Sequence, residues 1–290
     1  MPTAIRPRRS VLYMPSSNER ALEKAKTIGA DCIILDLEDA VAPDAKASAR
    51  DMACAAVRSK EYGRRELIIR INGIGSPWHT ADLIAAAQAA PDAILVPKVN
   101  SASDVRLLVH ALEDAKAPIG VKLWAMVETP IAMLHCHEIA TASDRLTALV
   151  MGTNDLNKEL GALQVPGRAP LLTGIGLCLL AARAAGKVII DGVYNDVKDD
   201  VGFASECKQG REFGFDGKTL IHPGQVDLCN AAFSPSDEDV ENARGIIEAY
   251  EDASATGQGV ATYKGRLVEH LHVITARKVL ALHEALTADE

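Results

Sequence analysis

Cys32-Ile33-Ile34-Leu35-Asp36-Leu37-Glu38-Asp39 is apolar almost without interruption until its last positions, where carboxylates crowd. A strand wetted on one face alternates apolar and polar residues; a run this continuous reads as a parallel strand covered on both faces. Leu67-Ile68-Ile69 and Ile94-Leu95-Val96 repeat the pattern. Working outward, eight such runs occur, at 10–15, 32–38, 66–72, 93–99, 120–128, 146–152, 187–194 and 217–223, mostly separated by helical stretches such as 18–28, 101–115 and 196–213. Ser101 and Ser103 are candidate N-caps, and Gly29, Gly63 and Gly214 candidate helix ends. Eight strands fit a (β/α)8 TIM barrel, although an open doubly wound sheet shares the alternation. Two further helical stretches, 236–253 and 265–286, flank Thr256-Gly257-Gln258-Gly259. Residues 1–232 are therefore expected to form the barrel and 233–290 a C-terminal helical extension.

Composition narrows the function classes. The 290 residues are 48% hydrophobic and 24% charged, ordinary for a globular chain with a large core. The net charge of -8 leaves no broad cationic surface for nucleic acid. Apolar runs stop well short of the roughly 20 residues a membrane span needs, and Arg6, Arg8 and Arg9 are followed by no leader-like apolar region. Six scattered cysteines, none in a Cys-x-x-Cys pair, read as free thiols packed as small hydrophobes in a cytoplasmic protein.

In a barrel the βα loops converge at the C-terminal ends of the strands, so those ends hold the candidate chemistry. They carry Tyr13, then Asp36, Glu38 and Asp39, Arg70 and Asn72, Lys98, Glu128, Asn154 and Asp155, Asp191 and Asn195, and His222. Asp36 and Glu38 share one face of their strand, and Arg70 and Asn72 one face of the next. Two readings stand for the carboxylates: a structural salt-bridge network with Arg70, or acid–base groups. The forked guanidinium of Arg70 suits a carboxylate ligand. Glu128 and Asp155 offer hard oxygen ligands of the kind Mg²⁺ takes, or else a buried hydrogen-bonded acid and a solvated helix cap. Gly174-Ile175-Gly176 lacks the strand and third glycine of a dinucleotide fingerprint. His135-Cys136-His137 points to different helix faces and makes no zinc site.

Several segments together resemble one family. They are Arg9-Ser10-Val11-Leu12-Tyr13-Met14-Pro15, Leu35-Asp36-Leu37-Glu38-Asp39-Ala40-Val41 with Lys46 and Arg50, Arg70-Ile71-Asn72-Gly73, Pro97-Lys98, Glu128-Thr129-Pro130, Gly152-Thr153-Asn154-Asp155-Leu156, and Asp216-Gly217-Lys218 leading to Ile221-His222-Pro223. Over nearly the whole chain the sequence resembles the HpcH/HpaI aldolase and citrate lyase family, in its citrate lyase β-subunit-like branch. The resemblance implies a barrel with a helical extension, a homotrimer or hexamer, Mg²⁺ on Glu128 and Asp155, and substrate on Arg70. It also implies CoA thioester contacts from Tyr13, Arg20, Lys24, Lys46, Ile221 and His222. The expected reaction is cleavage of a 3-hydroxyacyl-CoA of the malyl-CoA or citramalyl-CoA type into acetyl-CoA and a 2-oxo acid, or the reverse.

Two departures qualify that expectation. Pro15-Ser16-Ser17-Asn18 stands where relatives carry Pro-Gly-Asn or Pro-Ala-Asn, and Glu269 stands where they place a catalytic Asp that serves the neighbouring subunit. Glu269 is then the candidate acid–base residue, with Asp36 or Glu38 as the fallback. The rival readings are hydrolysis of malyl-CoA in the same pocket, an aldolase acting without CoA, and the β subunit of a multi-subunit citrate lyase.

Overall fold

Each of the eight runs forms a strand: β1 (Ser10–Pro15), β2 (Cys32–Asp36), β3 (Glu66–Arg70), β4 (Ala93–Val96), β5 (Lys122–Val127), β6 (Leu146–Met151), β7 (Val188–Asp191) and β8 (Gly217–Leu220). All pair in parallel, and β1 pairs with β8 at Ser10↔Lys218, which closes the barrel. The computed structural model describes residues 5–288, in two compact units: one is Arg8–Phe233, and the other joins residues 5–7 with those from Ser234 on. Among the described residues no helix is long and apolar enough to cross a membrane.

The helices of the first unit are α1 (Glu19–Ala25), α2 (Lys46–Ser59), α3 (His79–Ala89), α4 (Ala102–Asp114), α5 (Pro130–Leu134), α6 (Cys136–Thr141), α7 (Thr153–Leu160), α8 (Leu172–Ala184), α9 (Asp200–Phe213) and α10 (Val226–Phe233). Asn18 caps α1 by accepting from the amide of Ala21, and Ser101 caps α4 by accepting from that of Asp104. Ser103 lies inside α4 rather than at its cap. Gly214 ends α9 in the left-handed conformation as expected, but α2 is ended by left-handed Lys60, not by Gly63. Gly174 and Gly176 fall inside α8.

Alternation along the strands sorts side chains onto two sides. Val11, Ile34, Ile68, Leu95, Trp124 and Val150 pack together inside the barrel. Their neighbours Leu12, Ile33, Ile69, Ile94, Leu123 and Leu149 pack outward beneath the helices. Burying each such side chain contributes roughly 1.5–3 kcal/mol, offset by the entropy of ordering it. Trp124 is wholly buried, and the guanidinium of Arg8 sits 5.6 Å from its ring centre. All six cysteines are free and buried.

The second unit holds α11 (Asp237–Ala255) and α12 (His270–Thr287), with the hairpin β9 (Ala261–Tyr263) and β10 (Arg266–Val268) between them. Residues 265–269 are thus turn, strand and cap, not the first turn of a helix over 265–286. Lys264 (φ 46°) and Gly265 (φ 75°) supply the two left-handed residues that a tight hairpin turn requires. Gly245 lets that hairpin lie on α11, since a Cβ there would fall 2.3 Å from the ring of Tyr263.

Candidate active site

The inward series Val11, Ile34, Ile68 and Met126 continues by twos to Tyr13, Asp36, Arg70 and Glu128 at the top of the barrel. Tyr13 packs on that interior cluster, and the guanidinium of Arg70 lies 4.7 Å from its ring centre. Burial raises the Tyr13 hydroxyl pKa, so it stays protonated. Arg70 donates through Nε and Nη2 to the two oxygens of Asp36, each at 2.6 Å. Its Nη1 reaches Glu38 at 2.7 Å and Asp39 at 3.2 Å. Asp36 also accepts the amides of Glu38 at 2.9 Å and Ala40 at 3.1 Å. One guanidinium therefore serves three carboxylates. Burial lifts Glu38 to about 7; Arg70 opposes the rise, and Asp39 and Asp36 reinforce it.

Glu128, 2% exposed at the end of β5, accepts the amide of Lys98 at 2.7 Å. Gly152 makes room for it, because a Cβ there would lie 2.2 Å from Oε2 of Glu128. Asp155 stands one strand over, in the first turn of α7. Burial first, then the charges of Asp155 and Glu38, push Glu128 up to about 8 against the Lys98 amide and Arg70. A buried carboxylate whose proton affinity is raised by burial and a neighbouring negative charge is relieved by a cation. Among the described residues no group of three or more His, Cys, Asp or Glu is arranged around a metal position. Two carboxylates fit Mg²⁺, which fills its remaining positions with water and substrate oxygens. Lys98 reaches toward the same pair: its Nζ lies 3.4 Å from Asp155, and its backbone is left-handed at φ 54°.

The CoA-side candidates divide. Arg20 and Lys24 lie exposed one turn apart on α1, and Ile221 and His222 are exposed just beyond β8, the neighbour of β1. His222 accepts the amide of Gly224 at 3.1 Å, capping a short 3-10 turn, Pro223–Gln225. Lys46 instead turns inward: its Nζ, 5.3 Å from the Trp78 ring centre, donates to the carbonyls of Leu37 at 2.8 Å and Glu38 at 2.7 Å. It thereby props the backbone that carries Glu38. Asn72 is likewise held in the structure, donating to Asp82 at 2.6 Å. Glu269 belongs to the second unit, where its amide donates to Nδ1 of His272 at 3.0 Å at the start of α12.

Asp191 does not face the mouth. It follows inward Ile190 by one residue, so it points outward between sheet and helices and is fully buried. Arg168 donates to it at 2.7 Å and Lys218 at 3.1 Å; Lys218 also reaches Glu206 at 2.7 Å and the carbonyl of Gly192 at 2.6 Å. Burial would raise the Asp191 pKa, but Lys218 and Arg168 outweigh it and the net shift is downward. This network escaped the reading of strand ends, and the parity of Ile190 was the signal for it. A cavity of about 630 Å³ opens above it, lined by Asn154, Tyr194, Asn195, Arg168 and Glu206 among others. Tyr13, Arg70 and Glu128 do not line that cavity.

Known proteins resemble this chain over nearly its whole length. Over 282 residues, 97% of this chain and 96% of the relative, the sequence is 52% identical to (3S)-malyl-CoA thioesterase of Cereibacter sphaeroides. It is 34% identical to citrate lyase subunit beta of Leuconostoc mesenteroides, over 96% of this chain and 94% of that one. The structure of protein CitE from Mycobacterium tuberculosis in complex with magnesium, acetoacetate and coenzyme A superposes with a TM-score of 0.75 at 30% identity, covering 93% of this chain and 96% of that chain. The HpcH/HpaI aldolase/citrate lyase family model matches residues 9–223, from just before β1 to just past β8, and the chain belongs to that family.

Proposed function

We propose that the chain hydrolyses the thioester of a 3-hydroxyacyl-CoA of the (3S)-malyl-CoA type, with Mg²⁺ held by Glu128 and Asp155. The carrying observation is the 52% identity, over 97% of the chain, to the malyl-CoA thioesterase. The magnesium and coenzyme A of the CitE complex support the metal and the CoA ester. When bound, the metal supplies a Lewis acid and a template for substrate oxygens.

The ester spans the mouth. Arg20 and Lys24 take CoA phosphates on the β8–β1 side, where Ile221, His222 and Tyr13 flank the pantetheine arm. The acid end reaches the β5–β6 side beside Glu128 and Asp155, and the Nη1 edge of Arg70 is assigned to its carboxylate. Asp36, with both oxygens committed to Arg70 and two backbone amides, positions that guanidinium. Glu38, poised at about 7, takes a proton from the attacking water. The water oxygen bonds to the thioester carbon, the carbon–sulfur bond breaks, and the proton passes from Glu38 to the departing sulfur. Lys46 holds the Glu38 backbone in register for that transfer.

The 34% identity to a citrate lyase β subunit favours one second reading, carbon–carbon cleavage to acetyl-CoA and a 2-oxo acid. Purified protein with Mg²⁺ and malyl-CoA or citramalyl-CoA, with and without EDTA, separates the two. Hydrolysis yields free CoA and a hydroxy acid that EDTA suppresses, with no 2-oxo acid. Metal-dependent 2-oxo acid with acetyl-CoA would replace this reading with the lyase. In either case Glu128→Gln and Asp155→Asn are expected to abolish turnover and Mg²⁺ binding together while the protein melts as a folded chain.

A further inference from the structure

We propose that Lys98 is an exchangeable counterion. Its ammonium holds Asp155 until a divalent cation takes that carboxylate, and then turns to the free carboxylate of the substrate. The inference rests on the metal assignment above.

Three observations carry it. The first is backbone strain: Lys98 has φ 54°, in the left-handed region that a Cβ disfavours. That conformation aims its amide at Oε1 of Glu128, 2.7 Å away, while the same residue's side chain reaches Asp155. One residue thus touches both members of the carboxylate pair, by two different groups.

The second is the looseness of the side-chain contact. At 3.4 Å, with the Lys98 side chain 49% exposed and that of Asp155 30% exposed, it is an ion pair screened by water. Lys218 in the same barrel is the opposite case, wholly buried with Asp191, Glu206 and the Gly192 carbonyl all within 3.1 Å. Lys218 is built to stay; Lys98 is built to leave.

The third is local charge. Asp155, Glu128 and Glu38 crowd the mouth, and the Arg70 guanidinium, shared among Asp36, Glu38 and Asp39, cannot by itself balance them together with the carboxylate of the substrate, so a second cation beside it is needed. A divalent ion at Asp155 displaces and repels the ammonium. Flexible and half-exposed, that ammonium then stands beside the place where the acid end of the substrate arrives.

Removing the ammonium should therefore tighten metal binding, whereas a merely structural lysine would loosen it or leave it unchanged. The test is calorimetric titration of Mg²⁺ into wild type, Lys98→Met and Lys98→Arg, followed by malate titrated into each Mg²⁺-saturated protein. Lys98→Met keeps the amide to Glu128 and is expected to bind Mg²⁺ roughly 1.5- to 5-fold more tightly, the range of a half-exposed ion pair. It should bind malate more weakly by a similar factor. Lys98→Arg, which retains the charge, is expected to restore both values toward wild type. Unchanged or weaker Mg²⁺ binding by Lys98→Met, or malate binding it leaves unaltered, would overturn the exchange while leaving the metal assignment intact. Wild type that binds no Mg²⁺ would overturn the metal assignment as well.

Discussion

The barrel carries two clusters of charge built to opposite specifications. In the outward cluster two cations, Arg168 and Lys218, face two anions, Asp191 and Glu206, and the Asp191 carboxyl is held below its usual range. In the mouth, Arg70 is the ion-pair partner of Asp36, Glu38 and Asp39 together, and nearby Glu128 and Glu38 are lifted to about 8 and about 7. Balanced charge with every donor matched holds sheet to helix. Surplus negative charge at a mouth is a demand for a proton or a metal ion, and is tolerated because the surrounding barrel fixes its geometry. The clusters stand on different strands, β7 and β8 against β2, β3 and β5, and differ by parity, one set of side chains pointing out of the barrel and the other in.

The largest expected effect breaks the balanced cluster. Asp191→Ala leaves Lys218 and Arg168 buried with one shared carboxylate, Glu206, instead of two and is expected to cost about 3–5 kcal/mol in denaturant unfolding. What remains folded should still bind Mg²⁺. Lost metal affinity at unchanged stability would show that the outward cluster serves the site.

A single methyl probes the mouth instead. In Gly152→Ala the new Cβ falls 2.2 Å from Oε2 of Glu128 and must displace it. A shift of about 1 Å in a catalytic group costs on the order of 10²-fold in rate, against about 1–3 kcal/mol of stability for the overpacking. Turnover and melting measured on the same preparation separate the two effects, and undiminished turnover would remove Glu128 from the mechanism.

The smallest effect is a pH signature. Glu38 keeps its proton in the folded chain up to about 7, while in the unfolded chain it ionises at its ordinary, lower value. As pH rises through that window the unfolded state sheds a proton the folded state retains, so this site's contribution to stability declines; above about 7 both forms are ionised and the loss is constant. Glu38→Gln should therefore melt higher than wild type at pH 8, with the gap shrinking toward pH 5. A gap independent of pH would mean that Arg70 fully neutralises Glu38.

The eight strands were legible because a parallel strand buried on both faces is written as an unbroken apolar run. Tyr13, Asp36, Arg70 and Glu128 were legible as well, since each stands at the polar end of such a run on its inward parity. Asp191 looked equivalent, but Ile190 holds the inward position on that strand and turns the aspartate away. The direction of Lys46 had no marker, because a long flexible side chain can reach the carbonyls of Leu37 and Glu38 as readily as solvent. Nor does any residue type announce the left-handed backbone of Lys98. The hairpin before α12 did carry its signal in Lys264-Gly265, which competes with the helix-compatible residues that follow.

The two tryptophans divide the barrel optically. Trp124 sits fully buried in the barrel interior against the guanidinium of Arg8, while Trp78, half-buried, lies beside the Lys46 ammonium that props Glu38. Excited separately in single-tryptophan variants, the first reports whether the barrel stands, and the second whether the loop at its mouth has moved. A ligand that stirs only Trp78 is felt at the rim, and one that reaches Trp124 has disturbed the frame.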